Sequence, residues 1–174
     1  VNVMAWNAAD TAILPALDGP AAACFTADTL GAFARGTLNS ASFSAAVRRP
    51  MDNDAGLLRA ETMEPRGSYY GFRAWAGSGS VLHRVDSPPE LGAYLCSDKD
   101  RYTLILVNRS EDDLVIDTDL SKIPGSGSEA VSGLRVGAVG SKGKVGESQF
   151  TVLRAGPSLS WTLPRCCVDS LELT

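Results

Sequence analysis

From residue 78 onward the chain is cut into eight short apolar or alternating runs: "SVLHRVD", "LGAYLCSD", "RYTLILVNRS", "DLVIDTDL", "GLRVGAV", "SQFTVLRA", "SLSWTLP" and "CVDSLELT". Turn formers stand between them, among them Ser87-Pro88-Pro89, Asp98-Lys99-Asp100 and Pro124-Gly125-Ser126-Gly127. Glycine, proline and aspartate stop a strand because they supply turn dihedrals or remove a ladder donor. Runs this short, repeating at roughly ten-residue spacing, suit antiparallel strands and leave no room for helices. Residues 78–174 are therefore expected to form an antiparallel β-sandwich.

Residues 1–77 have a different texture. "VNVMAWN" has five apolar residues in seven (Val1, Val3, Met4, Ala5 and Trp6), the mark of a strand covered on both faces. In "PAAACFTADTLGAFARGTL" (20–38), Pro20 suits a first helical turn. Ala22, Phe25, Thr29, Ala32, Phe33 and Gly36 then recur at spacings of three and four, so a helix is expected. "SASFSAAV" (40–47) reads as a short strand closed by Arg48-Arg49-Pro50. A second helix, carrying Tyr69, Phe72 and Trp75 on one stripe, is expected to end at Gly77. Strand, helix, strand, helix is two units of a parallel α/β arrangement, and two parallel strands cannot cover their own faces. Further strands are expected from a partner chain or from a longer polypeptide.

The charge balance narrows the partners. Sixteen basic against 20 acidic residues give a net charge of −4 with no basic block, which points away from nucleic acid and anionic membrane and towards a neutral ligand. No run approaches the ~20 apolar residues that span a bilayer. The four cysteines (Cys24, Cys96, Cys166 and Cys167) lack metal-ligand spacing, and His83 is the single histidine, so neither a zinc site nor another cofactor is implied. An even cysteine count fits one or two disulfides in a secreted or cell-surface protein, with Cys96 a candidate partner for Cys166 or Cys167. A bridge between the adjacent pair itself would be strained. Asn108-Arg109-Ser110 is a glycosylation sequon that such a compartment could use.

The layout, a strand ending in Trp6-Asn7, a helix, a short strand, a loop with "DAGLL", a helix with "YYGFRAWA" and then a sandwich, resembles the C-terminal part of retaining glycoside hydrolases built on a (β/α)8 barrel. Family 39 and its clan A relatives, heparanase-like enzymes included, are the nearest resemblance. It implies that residues 1–7 are the seventh barrel strand, 20–38 its helix, 40–47 the eighth strand and 65–76 the closing helix. In that family the seventh strand ends in a Glu-Trp-Asn-like motif whose glutamate is the nucleophile; here the motif is Met4-Ala5-Trp6-Asn7. The resemblance thus implies hydrolysis of glycosidic bonds in a polysaccharide or glycan. It also implies that the chain is inactive as written, because alanine has no oxygen with which to attack. Ala5 is compatible with an engineered knockout, a natural pseudoenzyme that keeps a sugar cleft, or an ordinary buried strand that happens to end in Trp-Asn.

Each candidate has a plainer alternative. Trp6 either stacks on a sugar or is a core tryptophan, and Asn7 either bonds a hydroxyl or closes a turn. Asp52, Asn53 and Asp54 crowd the eighth loop, where a ligand could meet them, yet the stretch is ordinary loop chemistry without calcium-loop spacing. His83 is expected to be structural, and with one histidine no Ser-His-Asp device is expected. Tyr69, Tyr70, Phe72 and Trp75 are expected to pack between barrel and sandwich. The rival to an enzyme is a non-catalytic secreted β-sandwich that binds a partner or a glycan.

Overall fold

The computed structural model describes residues 2–6, 18–36, 38, 40–47, 56–123, 130–140 and 143–173, with residues 4 and 5 described by their backbone. Of the expected site residues, Asn7, Asp52 and Asn53 lie outside the described residues. Strand β1 (Asn2–Trp6) pairs in parallel with β2 (Ser40–Phe43), and helix α1 (Pro20–Arg35) lies between them in the chain. Helix α2 (Gly67–Trp75) follows. Pro20 opens α1, as its fixed φ and missing N–H favour. Past α2 the chain turns at Gly77, whose φ of +83° lies in the left-handed region that glycine tolerates. The expected strand 40–47 is shorter than its apolar run. Past Phe43 only Val47 pairs again, in an isolated bridge to Leu58, because Leu57 and Leu58 fold back to take the carbonyls of Ala45 and Ala46.

All eight runs after residue 78 are strands: β3 (Val81–His83), β4 (Leu91–Asp98), β5 (Arg101–Asn108), β6 (Leu114–Asp119), β7 (Ala130–Val139), β8 (Lys144–Ala155), β9 (Ser158–Leu163) and β10 (Val168–Leu173). They form one continuous curled antiparallel sheet in the order β3-β4-β5-β10-β7-β8-β9-β6. The reason is the length of β8. Its residues 144–153 pair with β7, and Arg154 and Ala155 go on to pair with β9, so one strand carries the ladder around the bend. The sheet curls over a core that joins its two ends: Leu91, Ala93, Leu104 and Leu106 of β4 and β5 share a cluster with Ile116 of β6 and Leu159 and Leu163 of β9.

The outer face of the curl carries the helices. Tyr94, Ile105, Val107, Val136 and Val168 form a second cluster with Ala23 and Ala27 of α1 and Ala74 of α2. In sixteen residues, or about 24 Å of axis, α1 touches β4, β5, β10, β7 and β8 and therefore lies across the strands. Its buried face is Ala22, Ala23, Thr26, Ala27 and Gly31, not the expected one: Phe25 is 48% exposed and Ala32 is exposed. Small residues won that face because the neighbours come so close. A Cβ on Gly31 would fall 2.1 Å from the Tyr94 ring, and one on Gly71 of α2 would fall 2.6 Å from Thr26.

Candidate active site

Of the residues that the resemblance singles out, Ala5 and Trp6 stand where β1 ends. The register of the parallel pair runs Asn2 to Ser40 and Val3 to Ala41, then Trp6 to Phe43, so β1 spends three residues where β2 spends two. The extra residue makes a bulge at Met4-Ala5. A bulge bends a strand and re-aims its side chains, and bulges concentrate at sheet rims and beside active sites. The Trp6 carbonyl takes the N–H of Ser44 at 2.8 Å, closing the pair just after the bulge.

Trp6 then sits in an aromatic nest. Its ring meets Phe33 of α1 edge-on at 5.3 Å and Phe43 of β2 at 5.0 Å, and lies 5.8 Å from Phe72 of α2, which in turn meets Phe43 at 5.5 Å. Edge-to-face pairs at these distances are favourable beyond the area they bury. The Trp6 Nε1 atom is buried and has no hydrogen-bond partner among the described residues. The core alternative for Trp6 therefore has direct support in its ring contacts.

The stripe on α2 divides in two. Phe72 turns to the parallel pair, while Trp75 turns to the large sheet, packing 5.4 Å from Tyr94 and donating Nε1–H to the Ala27 carbonyl at 3.0 Å. Tyr70 packs against the same outer-face cluster, and Tyr69 stands at 36% exposure. At the other end of the helices Asp18, just ahead of α1, holds Arg66 at 2.5 Å and Arg59 at 2.7 Å. That pairing ties the entry of α1 to the entry of α2.

A second polar cluster fastens α1 to the sheet. Tyr94 is 1% exposed and donates its hydroxyl to Asp28 Oδ1 at 2.7 Å. Arg109 grips both carboxylate oxygens of Asp28, at 2.6 Å and 3.1 Å, and Arg35 lies over the Tyr94 ring at 4.6 Å while donating to the Ala93 carbonyl. Burial, reinforced by the bond to Asp28, pushes the Tyr94 phenol up to about 12. The same carboxylate raises the Arg109 guanidinium. The sequence carries only indirect signals of this cluster. The signals were Gly31 inside a helical pattern and an aspartate three residues before it, on a face that otherwise packs small residues.

The remaining candidates are spread over the antiparallel sheet and its turns. Asn108 is 2% exposed, and its amide donates to the carbonyls of Asp112, Leu163 and Pro164 while its Oδ1 accepts from Ser110. In this fold it is a core asparagine clamping the ends of β5 and β9, and a glycan on Nδ2 would break those bonds. The cysteines are all free thiols, with no disulfide among them. Cys96 is opposite Thr103, which is opposite Glu172. That register sets Cys96 two strands and about 16 Å of strand length from Cys167, far beyond the ~7 Å Cα separation a bridge allows. His83 Nε2 meets Ser97 Oγ at 2.7 Å and its ring lies 5.8 Å from Tyr102, contacts that hold β3 against β4 and β5. No group of metal-ligating side chains gathers among the described residues. No helix among them is long and apolar enough to cross a membrane.

No protein-family model matches the chain, and no curated protein matches it in sequence. Solved structures do match in shape. A glycoside hydrolase family 30 subfamily 8 xylanase from Clostridium acetobutylicum superposes with a TM-score of 0.69 at 12% identity, over 98% of this chain and 41% of that one. An arabinose-bound family 51 α-L-arabinofuranosidase gives 0.76 at 12% identity, over 90% and 28%. A bifunctional glucanase-xylanase from a metagenome library gives 0.71 at 16% identity, over 99% and 30%. The chain spans less than half the length of each of these enzymes. At such identities the likeness is one of fold: this chain has the fold of a portion of these glycoside hydrolases.

Proposed function

We propose that the chain is part of a glycoside hydrolase-type protein acting on a polysaccharide or glycan by the retaining mechanism, family 39-like or heparanase-like in its motif. In this reading β1, α1, β2 and α2 are the last two βα units of a (β/α)8 barrel, and the curled sheet is the supporting domain packed on their helices. The observation that carries it is the bulge at Met4-Ala5 where β1 ends beside the parallel strand β2. Barrel enzymes place their reacting groups at the carboxyl ends of parallel strands. Residue 5 has that position, on backbone that departs from regular pairing.

A retaining glycosidase needs two carboxyl groups roughly 5 to 5.5 Å apart, one to attack the anomeric carbon and one to protonate the leaving oxygen. Ala5 supplies neither, so covalent catalysis stops at this position as the chain is written. The other barrel units, and the acid/base carboxyl with them, come from a contiguous segment or a partner chain. Among the described residues β1 and β2 pair only with one another, which leaves an edge of each for such neighbours. Trp6, Asn7, Asp52 and Asn53 would line the carbohydrate cleft, in a secreted or cell-surface protein.

Ala5 also favours a second reading, a pseudoglycosidase that binds glycan without cleaving it. Affinity electrophoresis through gels cast with xylan, arabinoxylan, mixed-linkage glucan or heparan sulfate, with the chain assembled with its barrel, tests binding: retardation in at least one is expected, and free migration in all four contradicts both readings. An Ala5→Glu variant of the same assembly, assayed on aryl glycosides, separates them. Turnover supports the enzyme with a substituted nucleophile; binding without turnover leaves the pseudoglycosidase.

A further inference from the structure

Cys24 lies on α1 and the Cys166-Cys167 pair at the entry of β10, near enough that both raise the Cys24 thiol. Gly92, Val107, Val168 and Val136 stand in one row across β4, β5, β10 and β7. A Cβ on Gly92 would fall 2.5 Å from Asp28 Oδ1, so Asp28 is level with that row at β4. Gly31 lies over Tyr94 of the same strand, and the helix runs back from there across β5 and β10 towards its N-terminus. Seven residues of helix, from Gly31 to Cys24, advance about 10 Å, which is about two inter-strand spacings. Cys24 therefore stands over β10, one turn before Asp28 on the same helix face, and packs on the cluster that contains Val168 and Val136.

Cys166 and Cys167 lead directly into β10, and they face different ways. Cys167 belongs to the core inside the curl; its Sγ lies 2.3 Å from where a Gly137 Cβ would be, pinned under β7. Cys166 is partly exposed at a turn with φ of +51°. It precedes Val168 by two residues, and Val168 packs against the helices.

We propose that Cys24 and Cys166 are a redox pair whose disulfide staples α1 to the curled sheet, a covalent tie between the parallel half of the chain and the antiparallel one. It does not depend on the carbohydrate reading. The electrostatics agree: burial pushes the Cys24 thiol up most, and Cys166 is the next influence, ahead of Cys167 and Asp28. Cys166 is partly exposed at its turn, so a small oxidant reaches it, while Cys96 and Cys167 are buried.

The oxidant is a low-molecular-weight disulfide. The Cys166 thiolate attacks one sulfur of oxidised glutathione, the S–S bond breaks, and one glutathione leaves as thiolate. Cys24 then loses its proton to solvent and attacks the Cys166 sulfur, expelling the second glutathione. Two protein thiols and one glutathione disulfide become one protein disulfide and two glutathione thiols. Because burial keeps Cys24 protonated, closure is the slow step and quickens as pH rises, close to tenfold per unit while Cys24 remains mostly thiol.

The test is to equilibrate the full chain in glutathione buffers from reducing to oxidising and to map disulfides by mass spectrometry of non-reduced digests. Expected is a cross-linked peptide joining Cys24 to Cys166, with Cys96 still alkylatable. The oxidised form should have a raised melting temperature, reversed by reductant and abolished in Cys166→Ser but kept in Cys96→Ser. If Cys24→Ser fails to fold, Cys166→Ser carries the same comparison from an exposed turn. Four free thiols at every ratio, a glutathione adduct that never closes, or a bridge through Cys167 or Cys96 would each overturn the assignment.

Discussion

Asp169 is the residue on which the sheet is most exacting. Fully buried in β10, it takes two bonds from Arg135 of β7, at 2.8 and 2.7 Å, and one from Trp161 Nε1 of β9 at 3.0 Å. Its carboxylate raises the Arg135 guanidinium, which also lies over the Phe150 ring at 4.7 Å. Removing one member of such a set leaves the others without partners in low dielectric. Asp169→Ala is expected to lose about 3 kcal/mol in urea unfolding. A loss under about 1 kcal/mol would show that water replaces the carboxylate. Asn108→Ala is expected to cost on the order of 2 kcal/mol, because three carbonyls lose their donor; the same unfolding curves read it. The sequence signalled neither role, since a sequon and a lone aspartate look the same whether the fold exposes them or buries them.

Tyr94 gives the residue scale a pH signature. Its folded pKa of about 12 is above the ordinary tyrosine value, so on raising pH the unfolded chain gives up this proton first. Its contribution is whole below pH 10 and fades between about pH 10 and 12. Tyr94→Phe should flatten the stability profile in that window relative to wild type. An unchanged slope would mean that the phenol ionises as freely in the fold as out of it.

At the scale of elements, α1, with α2 beside it, holds the two halves of the chain together. It has room for large apolar residues only on the side of the parallel pair, where Phe33 meets Trp6, while its sheet side is reduced to alanine, threonine and glycine. Gly31→Ala is expected to destabilise by on the order of 2 kcal/mol, since Tyr94 must give way and strain its bond to Asp28. In combination with Tyr94→Ala the two costs should fall well short of adding, because the clash needs both side chains. Full additivity would contradict the close approach. The strands were legible in the sequence because alternation and turn residues act locally. The course of α1 was not: a spacing of three and four found the Phe25 and Phe33 side, whereas the side that meets the sheet is marked by the absence of bulk. The single curled sheet was equally hidden, because it depends on β8 outrunning β7 by two residues to reach β9.

At the scale of the molecule, two unequal halves share one chain. The antiparallel sheet closes a core from end to end, whereas the parallel pair has its bulge, its aromatic nest and an edge on each strand that nothing described covers. The β-α-β-α order and the Trp6 position were readable from residue spacing. The bulge at Met4-Ala5 was not, because a one-residue excess appears only when the partner strand is in place. The proposal makes the parallel half an open portion of a larger barrel. Hydrogen exchange of the purified chain, read peptide by peptide by mass spectrometry, tests it most directly. Amides of residues 2–6 and 40–43 should exchange through local opening far faster than those of β4, β5 and β10. Equal protection of the parallel pair and the central sheet would show that this half is complete without neighbours, and would contradict the account.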